Sequence, residues 1–301
     1  MIDVQRLRIL REVARHGSFN RAATALLLTP SAVSQQIAAL ERTLGTAVVE
    51  RSTRGVTLTE PGRLLVEAAE AINAELHHAQ EQIDRLALAR PRLTVATFTS
   101  GGRQLLPAAL SRFVAEHPEV ELTVLEGEPE QTLPMVREGR ADLALAYHFD
   151  LSRPFRPGDR SGLDWTPLLV DPLSVVLPRD HRLADRAGLE LAELMSERWV
   201  LGCLKTRALL AGYAERAGFE PAVAAATTDY FFAQALVGAG VGVSLIPGIA
   251  LVPPTPELAV VPLDPPGPAR HIGVATARRA RPQPLAGALL AALVRSAAAA
   301  R

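Results

Sequence analysis

Apolar positions along the first 58 residues recur first at helical and then at strand spacing. Val4, Leu7, Leu10, Val13 and Ala14 recur at helical spacing, each three or four residues from another, the period of one helix face. Gly17 stops that helix, and Ser18 is placed to cap the next, Phe19 to about Leu27. Thr29 then caps a third helix with Pro30 at its first position, where a missing N–H costs little, and Gly45 ends it. AVVERSTRGVTLT follows, two short β-prone runs around a turn at Thr53–Gly55. Three helices and a hairpin in this length predict a winged helix-turn-helix over residues 1–58.

From Glu60 to about Ala89 the pattern is one long helix. Leu65, Ala68, Ile72, Leu76, Ala79, Ile83 and Leu86 form a narrow stripe. Thirty helical residues rise about 45 Å, more than a compact domain needs. A stripe of that kind suits a coiled-coil-like seam, so residues 59–90 read as a linker helix that pairs with a second copy. Packing against its own chain is the plainer alternative.

After Arg90-Pro91 the pattern alternates. RLTVAT is a strand, Leu105 to Glu116 a helix, VELTVLEG a strand, Gln131 to Glu138 a helix and ADLALAY a strand. A polar loop runs from His148 to about Asp164, and LSVVLP is the next strand. A second cycle holds RWVLG, a helix over Thr206 to Ala217, PAVAAAT, a helix over Asp229 to Val237, and GVSLIP. LAVVPL, HIGVAT and a helix from Pro284 to Ala300 close the chain. Strand–helix alternation predicts parallel sheets with covered faces. The expected fold is therefore α/β overall: a winged helix-turn-helix, a long linker helix, and a two-subdomain α/β domain over 91–301. Subdomain I would hold about 91–168 and 267–301, subdomain II about 169–266, with a ligand cleft between them.

The formal net charge of the 301 residues is zero, so nothing global points to nucleic acid. Locally the picture changes. Residues 1–58 carry eight arginines and four acids, a net +4, which leaves the remainder at −4. A basic small domain on an acidic larger one is the asymmetry of a DNA-binding module. Cys203 is the one cysteine, which excludes an internal disulfide and fits a reducing compartment. MIDVQRLRILREV lacks the apolar core of a signal peptide, and no run of about 18 apolar residues offers a membrane span. The expectation is a cytoplasmic protein without membrane attachment.

On the third helix, Val33, Ile37, Leu40 and Leu44 share one side, while Ser31, Ser34 and Gln35 share another. The outward side holds hydroxyls and amides rather than the Glu and Lys of an idle solvated face. Small hydroxyls allow close approach to phosphate, and Gln can bond an adenine edge at two points.

These residues sit in a longer run that resembles the LysR-type transcriptional regulators. The matching positions are Ser18-Phe19, Arg21-Ala22-Ala23, Leu26, Pro30-Ser31-Ala32-Val33-Ser34-Gln35-Gln36-Ile37, Leu40-Glu41 and Leu44-Gly45, continuing through Glu50-Arg51, Gly55, Leu58-Thr59 and Gly62. The likeness extends more loosely through the linker helix and the α/β region, where ALVGAGVGVSLIP looks like the family's turn near the end of the second subdomain. Two departures stand out. Val48-Val49 replaces the usual Leu-Phe, and Ala38 stands where many members carry Arg or Lys. The resemblance implies that the third helix enters the major groove and the wing touches the backbone or minor groove. It makes Ser31, Ser34, Gln35 and Gln36 candidates on the recognition helix, and Arg51 and Arg54 candidates on the wing. A structural ion pair with Glu50 or another acid is the alternative for Arg51. The resemblance also implies a homodimer or homotetramer on a roughly palindromic double-stranded DNA site, contact with RNA polymerase, and control by a small-molecule effector.

Doubly wound sheets hold ligands at the C-terminal ends of their strands. The first strand ends at Thr97, Phe98, Thr99 and Ser100, before a helix whose start suits a carboxylate or phosphate. Thr99 or Ser100 as a simple helix cap is the plainer reading. The matching point in the second subdomain is Cys203, Lys205 and Thr206. Lys205, the sole lysine, reads either as an anion partner or as a solvated loop residue. Thr228 and Asp229 at the next junction are candidates for a polar or cationic group, Asp229 doubling as a cap, and His148 is a further candidate. Two hydroxyl-rich helix starts favour an anionic effector. There is no P-loop, no GxSxG and no metal-spaced His/Cys/Asp set, so neither an enzyme nor a cofactor is expected. A solute-binding protein or an α/β enzyme with an accessory domain is the rival reading.

Overall fold

The structure is a computed structural model that describes residues 2–52, 55–87, 90–149, 162–264, 267–278 and 283–299. Its N-terminal part holds α1 (Val4–His16), α2 (Phe19–Leu26), α3 (Pro30–Leu44) and an antiparallel hairpin, β1 (Val49–Ser52) with β2 (Gly55–Leu58). Polar side chains start the helices. Asp3 accepts from the Gln5 N–H, Ser18 from Arg21 and Thr29 from Ala32. Gly17 and Gly45 end α1 and α3 at φ 59° and 68°, where a Cβ would be strained. Leu27 ends α2 in the same left-handed region at φ 57° without being glycine. Leu10, Val13, Ala22, Val33, Ile37, Leu40 and Val48 make the core between the three helices and the hairpin.

α4 (Glu60–Ala87) leaves the hairpin as one helix of 28 residues, about 42 Å long. Leu65 and Val66 pack onto the N-terminal core, but Ile72, Leu76 and Ile83 of the predicted stripe are exposed in the single chain. The side chain of Leu86 lies outside the described residues.

The α/β region begins with β3 (Arg92–Thr97), then α5 (Thr99–Gln104), α6 (Leu106–Glu116), β4 (Glu121–Glu126), α7 (Pro129–Arg137) and β5 (Leu143–Phe149). β3 pairs in parallel with β4 and β5, as strand–helix alternation requires. β5 shows why the run LALAYHF reads as continuously apolar. Leu143, Leu145, Tyr147 and Phe149 face the core under α6, while Ala144 and Ala146 face the smaller core under α7. The helix predicted over Leu105 to Glu116 is α6, with Pro107 in its first turn, and the short α5 precedes it, unforeseen from the sequence.

Next come β6 (Leu163–Pro178), β7 (Arg198–Leu201), α8 (Thr206–Arg216), β8 (Ala222–Ala226), α9 (Tyr230–Gly238), β9 (Ser244–Pro247), β10 (Leu258–Val261), β11 (Ala269–Ala277) and α10 (Pro284–Ala299). The predicted strand 173–178 is only the second half of β6. Its first half was hidden by Pro167 and Pro172, which read as breakers; Pro167 sits beside a register irregularity. β6 pairs antiparallel with β11 over Leu163–Pro172, and then with β9 and β10 over Leu173–Pro178. β11 also runs antiparallel to β5. The sheet is thus one mixed path, β10-β6-β11-β5-β3-β4, with β9 beside β6, rather than two separate parallel sheets; β7 and β8 form a small parallel pair.

α7 touches two distant places. Near its start, Glu128 and Glu130 meet Lys205 of the second half, and Arg137 near its end holds Glu70 of α4 at 2.7 Å. Among the described residues no helix is long and apolar enough to cross a membrane.

Candidate functional site

α3 buries Val33, Ile37 and Leu40 completely and turns Ser31, Gln35 and Gln36 to solvent. Thr29 bonds Ser31 at 3.0 Å between hydroxyls, so the helix start is held by side chains as well as by its cap. Ser34 accepts from Arg51 Nη2 at 3.2 Å, and the same guanidinium lies 4.5 Å from the centre of the Phe19 ring. Arg51 therefore ties the hairpin to α2 and α3; the ion pair with Glu50 weighed from the sequence does not form. Gln36 accepts from Arg6 Nε at 3.3 Å and leans toward α1, whereas Gln35 stays open. Arg54 lies outside the described residues.

Several motif residues have structural work that the sequence alone did not reveal. Glu41 Oε1 accepts from the Val48 and Val49 N–H groups at 2.9 and 3.4 Å, fixing where the hairpin begins. Thr59 donates to the Ala47 carbonyl and accepts from the Gly62 N–H. A Cβ on Gly62 would stand 1.9 Å from the Val48 carbonyl oxygen, so only glycine lets α4 approach the hairpin this closely.

The second site is a cleft in the α/β region. Phe98, Thr99, Ser100 and Glu128 line one side, and Cys203, Thr228, Asp229, Tyr230 and Phe231 the other, with Tyr147 and Arg270 between them. Its interior room is small, about 10 Å³, and the rest of the space at its mouth is open to solvent. Arg270 and Asp171 face each other across β11 and β6, 1% and 2% exposed. Arg270 donates to Asp171 Oδ2 at 2.7 and 3.2 Å and to Ser100 Oγ at 3.2 Å. Asp171 Oδ1 accepts from the Ile249 N–H at 3.0 Å. The Phe98, Tyr147 and Tyr230 rings surround the guanidinium at 4.8–5.5 Å.

Of the residues expected here, Thr99, Ser100, Cys203, Thr228 and Asp229 line the cleft; four others sit elsewhere. Thr97 is buried and bonds the Phe98 carbonyl. Thr206 is buried in its own turn, its hydroxyl on the Cys203 carbonyl. His148 is on the opposite face of β5 from Tyr147, stacked on His271 at 4.9 Å, as strand alternation dictates. Lys205 spans the mouth instead of lining it: its ammonium lies 2.8 Å from Glu128 and 2.5 Å from Glu130. Neither Thr99 nor Ser100 caps α5, whose cap Phe98 makes no side-chain bond; Thr99 donates to Glu126 and Ser100 accepts from Arg270. Asp229 does cap α9, accepting from the Phe231 N–H at 2.8 Å, and Thr227 locks the same turn.

Arg270, Tyr147 and Tyr230 were missed. Arg270, Ile272 and Val274 alternate on one buried face of β11, a period-two signal that extends the predicted strand back by two residues. Burial raises the Tyr147 hydroxyl far above the usual phenol range, helped by Cys203 and by Glu128, to which it donates at 2.7 Å. Burial raises Tyr230 likewise, against the opposing pull of Arg270. For Lys205 burial works downward, but the hydrogen bonds it donates to Glu128 and Glu130 outweigh it and hold the ammonium above its ordinary value. The anion expected from the helix starts meets hydroxyls that are already engaged and a cleft flanked by carboxylates.

Residues 87–298 match the family model of the LysR substrate binding domain, and residues 4–63 that of the bacterial regulatory helix-turn-helix protein, lysR family. The transcriptional dual regulator GltC of Bacillus subtilis is 30% identical over 91% of this chain and 90% of its own length. The regulator CfxR of Cupriavidus necator is 34% identical over 66% of this chain, a match that spans 61% of CfxR. Full-length CbnR in complex with its target DNA superposes with a TM-score of 0.54 at 23% identity, covering 98% of this chain and all of that one, which shows the fold alone.

Proposed function

Since the chain belongs to the LysR-type family of transcriptional regulators, we propose that it reads DNA with the exposed start of α3 and is switched by a small molecule held in the Arg270 cleft. It is a DNA-binding regulator with an effector-binding domain. In this reading residues 1–58 form the DNA-binding domain, 59–90 the linker and 91–301 the effector-binding domain. Ser31, Ser34, Gln35 and Gln36 lie at the major groove, with Arg51 and Arg54 on the wing. Two copies pair through the uncovered stripe of α4, which buries Ile72, Leu76 and Ile83, and the dimer places its two recognition helices on a roughly palindromic site. The protein acts in the cytoplasm, carries no catalytic activity, and meets RNA polymerase at its promoters.

The observation that carries the DNA reading is the Arg51–Ser34 bond, which sets wing and recognition helix as one rigid surface around the open Gln35. Footprinting on the DNA upstream of its own gene tests it. Ser34→Ala with Gln35→Ala is expected to abolish the footprint at wild-type protein concentration while leaving the fold intact. An unchanged footprint defeats the assignment of α3. For the cleft, Thr99→Val is expected to weaken the effector response; a full response removes Thr99 from the site.

A further inference from the structure

The cleft contains one buried donor that the protein leaves open. Tyr230 is 6% exposed and its hydroxyl has no hydrogen-bond partner. Burial keeps that hydroxyl protonated, so it has a proton to give. Arg270, which also lines the cleft, makes its hydrogen bonds through Nε and Nη2. A buried hydroxyl without a partner is costly, so this end of the cleft suits an oxygen acceptor.

The charge around the cleft makes the opposite demand. Asp171 already neutralises Arg270. Lys205 is shared by Glu128 and Glu130, and Asp229 pairs with no cation among the described residues. With Glu126 on Thr99 and Arg103 over the Phe231 ring, five carboxylates thus meet three cations around the cleft. A ligand bearing only negative charge would add to that excess. One bearing an ammonium relieves it, and Lys205 shows where such a group sits: on Glu128, 5.0 Å from the centre of the Tyr147 ring.

We propose that the effector is a small organic ammonium compound with an oxygen acceptor at its other end, an amino-acid-like zwitterion or a hydroxylated amine. Its oxygen takes Tyr230 Oη. Its ammonium takes Asp229 and Glu128, displacing Lys205. The assignment rests on the cleft being the effector site, and the test separates the two.

Full-length protein is screened by thermal shift against the twenty protein amino acids, their decarboxylated amines and ethanolamine. Nitrogen-free acetate, lactate and succinate form the second arm. Binders are then titrated calorimetrically. At least one ammonium–oxygen probe is expected to raise the melting temperature and to bind tenfold or more weakly to Tyr230→Phe and to Asp229→Asn. Tyr230→Phe removes an unpaired hydroxyl, so the ligand-free variant should melt no lower than wild type; Asp229→Asn keeps a capping side chain. Stabilisation by a nitrogen-free acid that depends on Tyr230 overturns the ligand class and keeps the cleft. Stabilisation by any probe that both variants retain in full overturns the cleft itself. Silence from every ammonium probe overturns the class.

Discussion

Replacing Asp171 by leucine should be among the most damaging single changes in the α/β region. The carboxylate is 2% exposed, holds Arg270 through Nε and Nη2, and accepts a backbone N–H from Ile249. Its removal leaves a guanidinium in a low-dielectric site and strands a backbone donor, a loss of about 3–5 kcal/mol. At a urea dependence of roughly 2–3 kcal/mol per M, the unfolding midpoint falls by about 1–2.5 M. Trp165 and Trp199 are the only tryptophans, so fluorescence reports this region and not the DNA-binding part. Arg270→Met alone should cost a similar amount, because it strands the carboxylate. The two changes together should cost much less than their sum, since an apolar pair of similar volume often replaces a buried ion pair at little cost. A midpoint shift below about 0.3 M for Asp171→Leu, or additivity within ~0.5 kcal/mol in the double variant, would refute the claim that this pair is mutually dependent.

Gly62→Ala places a methyl 1.9 Å from the Val48 carbonyl oxygen, so α4 must move off the hairpin. Loss of DNA binding in a gel-shift assay is expected, with effector binding retained by calorimetry. Arg51→Ala removes the Ser34 bond and the Phe19 contact. If the guanidinium also meets a phosphate, affinity should drop on all sequences alike and the slope of log K against log salt should fall by about 1. The pH dependence follows from Tyr230, whose folded pKa is raised, chiefly by burial. Its contribution is fully present below the unfolded value near 10 and is lost as pH rises beyond it, at up to ~1.4 kcal/mol per pH unit. Urea midpoints measured from pH 9 to 11 should therefore fall less steeply in Tyr230→Phe than in wild type; equal slopes contradict the burial argument.

Features set by local chemistry were legible in the chain. Thr29, Pro30 and Gly45 bound α3 as caps do, and Asp229 caps α9. The apolar face of α3 and the reach of α4 follow from period alone. What escaped was set by partners far apart. Arg270 and Asp171 are 99 positions apart, Lys205 and Glu128 are 77, and no local pattern pairs them. β6 escaped for another reason: its prolines imitate a loop, and only the strands on either side show that the backbone runs on. Strand ends were where the sequence put the candidate cleft, and Thr99, Ser100, Cys203, Thr228 and Asp229 do line one cleft. The occupancy of its hydroxyls was not legible, because hydroxyls at a helix start look free until Glu126 and Arg270 are seen to hold Thr99 and Ser100.

β6 runs unbroken from Leu163 to Pro178, changing neighbours between Pro172 and Leu173 without a loop. Beside that point the returning chain is laced to it, with the Leu173 N–H on the Pro268 carbonyl and the Arg270–Asp171 pair just before. The two halves are therefore joined by a leaf spring and not by a hinge pin. A spring of paired strands yields by small twists spread over many residues and resists a wide swing. α7, gripped by Lys205 at one end and by Glu70 of the linker helix at the other, ties the mouth of the cleft to α4 across that spring.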